Sequence, residues 1–549
     1  MLYGRRLVST VTASSLGGDG KVLSKNDLSV TLNNDFGNSG QVIANRNATL
    51  TTSGNVSNSG KLQAGNTLNL TANNIDNTAT GEISANTTQV NANSTLTNRG
   101  LIDGVDTQIN AATVNNIGTG RIYGDHLSMA AVNLTNDTET LAGVTKAGTI
   151  AARDRLDLGI SGTLTNREHA LIYSVGDMAI GGALDAATHQ ATGSATTVNN
   201  NSATVEAGGN LSLSSATLNN TNEHFTTRVD QVAGPTTKNL LVGQWHVDHQ
   251  TTTYNTVINE YETKVDSSDP AQILAGGNMQ LKGQNLINDK SKIIAGGVLT
   301  GDLANLNNIQ AMGEHRVTES GTITLTTHQW EGGPFGRGNY WTDDTTAYNP
   351  PDVVTSITLP VTYALQNTKP TATGNQVETR TQAAVSGSAS GAGTANVRSA
   401  VVHQPTLPTS SLYKNNPNLN ASYLVETDAR FINNKLWLDS DYMTQRLSLD
   451  PNVTQKRLGD GFYEQKLIRE QIAELTGRRF LDEYDGEQYA NDEEQYKALM
   501  NAGIQFGKDY GLRVGVALTA EQMAKLTTDI VWLVEKEVTL PDGAKVKAL

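Results

Sequence analysis

Short runs of alternating apolar and polar residues recur through the first half of the chain at a spacing of about 20 residues. The repeat is clearest in 60–70, 148–158 and 203–213, where a Gly or Ala is followed two positions later by Leu, Ile or Val and then by a Leu-x-Leu pair. Alternation at a period of two indicates strands with one buried face, and a fixed short period indicates stacked units that cannot bury their apolar faces alone. We therefore predict a mainly β fold, a right-handed parallel β-helix from about residue 20 to 222, resumed at 271–309.

The residues between the runs favour coils of strands over a repeat that contains helices. Gly-Asn, Asn-Asn and Gly-Gly pairs occupy the breaks, and Gly and Asn tolerate the left-handed backbone of sharp corners. Leucine-rich repeats have a similar length, but they need a helical or 3₁₀ return segment. The return segments here are rich in Asn, Thr and Ser, which are poor helix formers. The β-helix is therefore the preferred interpretation.

Asparagine recurs near the end of successive units, after pairs such as Leu-Thr or Val-Ser. The recurrent positions are Asn58, Asn77, Asn98, Asn116, Asn136, Asn166 and Asn219. Asparagine side chains in stacked strands can bond neighbouring coils as a ladder along the axis, but a simple turn preference explains the pattern equally well. Both explanations stay open at this point, and neither predicts a ligand site.

The periodic pattern breaks twice and then ends, which predicts several segments of different composition and structure. In chain order we expect a β-helix over 1–222, an extra-helical β-hairpin insertion over 223–270, further β-helix coils over 271–317, a flexible Gly/Thr/Ser/Pro-rich excursion over 318–422, an α-helical connecting module over 423–536 and the start of a truncated β segment over 537–549. Within the helical module, Gly477 is placed to cap the C-terminus of one helix and Thr519 the N-terminus of another.

Composition and charge narrow the classes of partner and of chemistry. The net charge is −14 and no basic stripe occurs, which argues against a nucleic-acid partner. Cysteine is absent, so disulfides, thiolate metal sites and cysteine nucleophiles are excluded. The sequence contains no apolar run of about 18 residues, so no membrane span is predicted. The first residues also lack the apolar stretch of a signal peptide.

Few residues suggest catalysis or metal binding. His246 and His249 lie three apart on a predicted strand, and they would point to opposite faces, so we predict no metal site there, even with His224 nearby. Glu426 and Asp428 could act as paired carboxylates, as in glycosidases, although capping and orienting the helical module is the simpler interpretation. We predict no catalytic, cofactor-binding or metal-binding residues and no cofactor. A β-helix polysaccharide lyase or hydrolase is the alternative, which acidic or basic side chains stacked on three coils would favour.

The two interruptions of the repeat carry aromatic side chains in a polar setting. The candidates for receptor contact are Trp245, Tyr254, Trp330, Tyr340 and Trp341. Exposed Trp and Tyr on a rigid scaffold are typical of recognition surfaces. The alternative is that these segments are mobile spacers whose aromatics pack locally.

Several stretches, together with the repeats, resemble the filamentous haemagglutinin family of large bacterial exoproteins, which includes the contact-dependent growth inhibition toxins. The stretches that carry the resemblance are 267–277, 423–431, Asp441-Tyr-Met, 457–465 and 529–534. The resemblance implies a central shaft followed by a connecting module, an outer-membrane transporter of two-partner secretion as partner, and a receptor on a target or host cell. It also implies a secreted or cell-surface location for the parent protein.

The chain departs from this family in two ways. The Asn-Pro-Asn-Gly-Ile signature of the family's secretion domain and the Val-Glu-Asn-Asn junction that precedes a toxin domain are both missing. The resemblance therefore predicts an internal fragment, a non-catalytic shaft and display segment of an adhesin or inhibition exoprotein without a toxin domain. Without a signal peptide, such a fragment is not expected to be exported by itself.

Overall fold

The computed structural model describes residues 2–4, 8–244, 250–333, 336–360, 407–418, 421–432, 437–447, 455–481, 489, 491–540 and 543–549. The chain is mostly β and contains a parallel β-helix, with a few short helices near its C-terminal end. The predicted fold class is thereby confirmed. Residues 361–406, within the predicted excursion 318–422, lie outside the described residues, as do Trp245, His246 and His249.

The strands of the β-helix are short, as the alternating runs predict. The first coils contain β1 (Leu2–Gly4), β2 (Val8–Ala13), β3 (Leu16–Gly18), β4 (Lys21–Ser24), β5 (Asp27–Leu32), β6 (Phe36–Asn38), β7 (Gln41–Ala44), β8 (Ala48–Thr52), β9 (Val56–Asn58), β10 (Lys61–Ala64), β11 (Thr67–Ala72), β12 (Ile75–Asn77) and β13 (Glu82–Ser84). The next coils contain β14 (Thr87–Asn98), β15 (Leu101–Asp103), β16 (Asp106–Ile117), β17 (Arg121–Leu141), β18 (Val144–Ala147), β19 (Thr149–Ile160), β20 (Thr163–Arg167), β21 (Leu171–Ser174), β22 (Met178–Gly181), β23 (Ala183–Leu184), β24 (Ala191–Thr192), β25 (Ala195–Asn201), β26 (Thr204–Ala207) and β27 (Leu211–Thr221).

The remaining elements follow in the order of the chain. After the long strands β28 (Thr226–Gln244) and β29 (Gln250–Ser267), the coils resume with β30 (Gln272–Ala275), β31 (Met279–Asp289), β32 (Lys292–Ala295) and β33 (Leu299–Ile309). Then come β34 (Met312–Gly333), β35 (Gly336–Tyr348), β36 (Val353–Thr358), β37 (Tyr413–Asn415), β38 (Tyr423–Thr427), α1 (Ala429–Ile432), α2 (Asp441–Leu447), β39 (Arg457–Gly459), α3 (Gly461–Thr476), α4 (Asp492–Asp509), α5 (Ala520–Ala524), β40 (Lys536–Thr539) and β41 (Lys545–Ala548).

Each coil contributes one strand, or one part of a longer strand, to each of three parallel faces. The first face stacks β1, β4, β7, β10, β13, β15, the start of β17, the start of β19, β21, β26, β30 and β32. The second runs from β2 and β5 through β8, β11 and later strands to the first half of β33, and the third runs from β3 and β6 to its second half. Two small antiparallel hairpins, β17–β18 and β23–β24, interrupt the coils where the sequence predicts none.

The interior of the coils is a continuous apolar core along the axis. Leu62, Leu68 and Ile75 come from the three faces of one coil and are at most 1% exposed, whereas Asn69, next to Leu68, points outward and is partly exposed. Alternating residues of a strand point to opposite sides, so the pattern of period two places every apolar partner inward. The strand phase expected from the sequence is therefore correct in this coil.

The asparagine side chains form one ladder inside the third face. The Nδ2 atom of each member donates to the Oδ1 atom of the next at 2.7–2.9 Å, through Asn38, Asn58, Asn77, Asn98, Asn116, Asn136, Asn166, Asn200, Asn220, Asn288 and Asn308. The ladder explanation is thus confirmed. The prediction of Asn219 is wrong by one residue, because Asn219 points to the other side of its strand and bonds Asn199 instead.

The C-terminal module packs on the outer surface of the first face. Tyr123 and Tyr173 from β17 and β21 contact Phe431, Phe462 and Tyr463 of the module, with ring centroids 5.4 Å apart for Tyr123 and Phe431. The strands beneath are covered on both sides, so β21 is buried at every position. Gly477 caps α3 in the left-handed conformation, and Thr519 starts α5 with a capping box, as the sequence predicts.

Buried charges also join the module to the coils. Glu206 of β26 is 4% exposed and forms ion pairs with the guanidinium groups of Arg479, at 2.8 Å, and Arg469, at 3.3 Å. Both arginines also contact Asp492 at the start of α4. The arginines outweigh the effect of burial and hold the pKa of Glu206 at about 2. A buried carboxylate of this kind requires its partners, so Glu206 ties the module to one position along the shaft.

Candidate functional site

The two interruptions of the repeat form a single antiparallel sheet, here called the excursion sheet. Its strand order is β28-β29-β34-β35, and β36 pairs with the first part of β34. The contact between the two interruptions is the β29–β34 pairing, which runs from Gln250 opposite Thr327 to Glu262 opposite His315. The sequence pattern alone predicts them as separate segments. Both contain Thr-rich, β-branched runs, and that shared feature is the one signal of pairing.

The expected flexibility of 318–422 is wrong for its first part. Residues 318–358 lie largely in β34, β35 and β36. A strand that is polar on both faces shows no alternation of apolar and polar residues, so its signal in the sequence is weak. The strands exist because they pair with one another over long stretches, up to thirteen residue pairs between β34 and β35.

The predicted aromatic residues are spread over this sheet. Tyr254 packs edge-on against Tyr348 with ring centroids 5.5 Å apart, and the ammonium of Lys238 lies 5.7 Å from the Tyr254 ring. Tyr340 and Trp341 on β35 are 54% and 62% exposed. Trp245 lies outside the described residues. The backbone of Trp330 pairs with Asn339 on β35, and its side chain is outside the description.

These aromatics lie on both faces of the sheet and are spread along its strands. Residues directly opposite each other in an antiparallel pair point to the same side, which places Tyr254 and Tyr340 on one face and Trp341 on the other. On their shared face, Tyr254 lies opposite Ile323 and Tyr340 lies opposite Gln329. These two positions of β34 are six residues apart, which is roughly 20 Å of strand. Trp341 stacks on His328, with ring centroids 4.3 Å apart. The sheet thus presents aromatic rings on both faces, and its edge strand β28 adds exposed apolar residues such as Leu240 and Leu241.

Around the aromatics the excursion sheet is mostly uncharged. Glu319 accepts a hydrogen bond from Thr256 at 2.6 Å and one from Lys238 at 3.1 Å, and these bonds lower the pKa of Glu319. Asp343 accepts from Thr326 at 2.6 Å. Hydroxyl groups also pair across the strands, as in the Thr324–Thr345 contact. Further charged pairs, such as Arg228–Asp266 and His315–Glu260, lie nearer the start of β28 and the end of β29. Such a surface can form hydrogen bonds and stack on a partner.

The carboxylates considered for catalysis belong to the docking of the C-terminal module. Asp428 accepts from the guanidinium of Arg121 and from the hydroxyl of Tyr123 at 3.3 Å. Glu426 accepts from Asn416 at 3.1 Å. The two side chains therefore have separate partners and do not face a common substrate position. Their geometry supports the interpretation that they orient the module.

Charged side chains do stack on the exterior of successive coils: Asp103, Asp125 and Arg153 form one such cluster, which contacts Arg430, and Asp157 is the centre of another. Asp157 of β19 is fully buried and accepts from His126 at 3.1 Å, from Arg155 at 2.7 Å and from the backbone of Ala191 at 2.8 Å. Burial alone would raise the pKa of Asp157, but the hydrogen bonds hold the pKa below its usual range. Because both carboxylate oxygens are engaged, the cluster fastens the β23–β24 hairpin to the second face. A substrate would have no free oxygen of Asp157 to contact.

In the part of the chain that the structure describes, no group of three or more His, Asp or Glu side chains is arranged to hold a metal ion. No helix among the described residues is long and apolar enough to span a membrane.

The fold and this site define a parallel β-solenoid with an added β-sheet. Comparison with known proteins places it more closely. The chain is 40% identical over 131 residues to the tRNA nuclease CdiA-2 of Burkholderia pseudomallei, a match to 24% of this chain and 4% of that protein. It is 43% identical over 120 residues to the toxin CdiA of Yersinia pestis, covering 22% and 4%. It is 33% identical over 125 residues to the filamentous hemagglutinin of Bordetella pertussis, covering 23% and 3%.

These relatives confirm the resemblance noted in the sequence. Over about 130 residues the chain is a homologue of CdiA toxins and of filamentous haemagglutinin, and its β-solenoid agrees with an exoprotein of that family. The matches span only about 4% of the length of the curated relatives. No protein-family model matches the chain, and no solved structure matches it.

Proposed function

We propose that this chain is a non-catalytic shaft and display segment of a large secreted adhesin or contact-dependent inhibition exoprotein. The β-helix gives the shaft its rigidity, and the excursion sheet is the surface that contacts a receptor on a target or host cell. The observation that carries the proposal is the excursion sheet itself, because it presents Tyr340 and Trp341, each more than half exposed, on a scaffold of paired strands. Exposed large aromatics are typical anchors of protein recognition.

The position of the excursion sheet along the chain supports this role. β34 begins three residues after β33, the last described coil, and the backbone of Leu359 bonds Ala311 where the sheet ends. A surface that adjoins the end of a solenoid can reach a partner with little obstruction from the coils. Homology to CdiA and haemagglutinin further supports a parent protein that is exported through an outer-membrane two-partner secretion transporter and acts at the cell surface.

The proposal is tested by the attachment of a full-length parent protein to target cells. Deletion of 223–269 should abolish attachment and leave export intact. The finer test is the double substitution Tyr340→Ala/Trp341→Ala, which should weaken attachment at least about thirtyfold if either ring is an anchor, because truncation of an anchor costs about 2 kcal/mol or more.

A matched control is Tyr510→Ala in the C-terminal module, which also removes a partly exposed aromatic ring, 44% exposed, but lies outside the excursion sheet. This variant should attach normally. Undiminished attachment after both the deletion and the double substitution would leave the chain as a passive spacer and overturn the proposal.

A further inference from the structure

Two histidine–carboxylate pairs lie at the root of the excursion sheet, where the chain leaves and re-enters the coils. The turn between β20 and β21 contains Glu168 and His169. His224, just before β28, has its Nε2 atom 3.0 Å from a carboxylate oxygen of Glu168. Asp269, just after β29, has its Oδ2 atom 3.5 Å from Nε2 of His169. One turn of the β-helix thus contacts both ends of the β28–β29 hairpin.

The backbone of that turn is unusual. Glu168 and His169 are consecutive and have φ values of 53° and 63°, the left-handed region that residues with a side chain rarely adopt. The conformation persists because the surroundings hold it, with the Glu168 amide bonded to Asn201 and the His169 amide to Ser202. It directs the two side chains toward the two ends of the hairpin.

The charge of this cluster depends on the imidazoles. When both are neutral, Glu168 and Asp269 are two carboxylates close enough to repel each other, and the Oδ2 atom of Asp269 is buried without a hydrogen-bond partner. Burial raises the pKa of Asp269, Glu168 raises it further, and the two histidines act in the opposite direction. The other charged groups around the root have partners of their own: Glu223 with Asn201, Lys290 with Asp289, and Arg167 with Asp137.

We propose that this root is a pH-dependent clip between the excursion sheet and the shaft. Imidazole gains its charge between pH 8 and pH 5, so mild acidification turns two like charges into two ion pairs. Each pair then ties one end of the hairpin to the turn at 168–169. Because the carboxyl of Asp269 gains a proton sooner than an ordinary aspartate, its pair with His169 is lost again at lower pH. The clip is therefore tightest under mildly acidic conditions.

Hydrogen exchange of the full chain tests the clip without a receptor. Amide exchange in 222–228 and 265–271, corrected for intrinsic rates, is measured at about pH 6 and about pH 8. Partly exposed ion pairs each change an opening equilibrium by up to about fivefold, so we expect exchange at the root to be about fivefold slower at the lower pH. The double variant His169→Gln/His224→Gln should lose this pH dependence.

The control is His315→Gln, which removes a similar pair with Glu260 (3.4 Å) within the sheet and away from this turn. It should keep the pH response of the root. Equal exchange of the unmodified chain at the two pH values would overturn the proposal, and so would a pH response that survives in the double variant. Neither result bears on receptor contact, which the attachment assay measures separately.

Discussion

Removal of one rung of the asparagine ladder is the most direct test of what holds the coils in register. Asn116 is fully buried in β16. Its Nδ2 atom donates to Oδ1 of Asn136 at 2.8 Å and to the carbonyl of Thr149 at 3.1 Å, and its Oδ1 atom accepts from Asn98 at 2.8 Å. The substitution Asn116→Ala deletes these bonds and leaves their partners inside the shaft.

The expected loss follows from those partners. A buried polar group left without its hydrogen bond costs about 1–3 kcal/mol. The Oδ1 atom of Asn136 loses its ladder donor, whereas the Nδ2 atom of Asn98 keeps weaker contacts to the carbonyls of Gly100 and Arg121. We therefore expect a destabilisation of about 3 kcal/mol for Asn116→Ala, felt mainly in the adjoining coils because repeats contact only their neighbours.

The assay is the free energy of local opening, from hydrogen exchange in β16, β17 and β19 of the full chain. The matched control is Asn219→Ala, since Asn219 is partly buried on the outer side of β27 and makes one side-chain bond, to Asn199. This control should cost no more than about 1 kcal/mol. Equal losses for the two variants would refute the reasoning that the buried ladder, rather than any asparagine pair, stabilises the stack.

Two further predictions concern the core and the module. Leu68→Asp places a carboxylate at a fully buried position and should lower the free energy of unfolding by several kcal/mol. Asn69→Asp, at the neighbouring outward position, should change the melting temperature little. Similar melting temperatures for the two variants would contradict the strand phase. Burial raises the pKa of Glu464 from 4.5 to about 8. Because the folded module then holds a proton that the unfolded chain releases, its stability should fall as pH rises from 4.5 to about 8. Glu464→Gln should remove that slope in urea unfolding followed by helical circular dichroism, and an unchanged slope would assign it to another group.

The sequence alone determined the class of fold, because the signal for it is local. Alternation over a few residues decides which side chains of a strand point inward, and Leu68 and Asn69 follow that rule. The repeat spacing and the corner residues then indicate coils. The same kind of local signal located the caps at Gly477 and Thr519.

Alignment between coils needed the tertiary structure. The recurrence of asparagine is visible in the sequence. Whether it reflects a side-chain ladder or a turn preference depends on which atoms meet between coils, and insertions separate some of those coils in the sequence. The error at Asn219 is a choice between two adjacent asparagines: Asn220, two positions after the inward Leu218, is the ladder member, whereas Asn219 points to the other side and bonds Asn199. A shift of one residue exchanges the buried and exposed sides of a strand.

Long-range pairing decided the candidate site and the docking of the module. The pairing of β29 with β34 joins residues more than fifty positions apart, and strands with polar residues on both faces carry no periodic signal of burial. Likewise, Tyr123 and Tyr173 face outward from the coils and are buried only because the module covers them. Such burial depends on which distant surfaces meet, and that is a property of the folded chain rather than of any local run of residues.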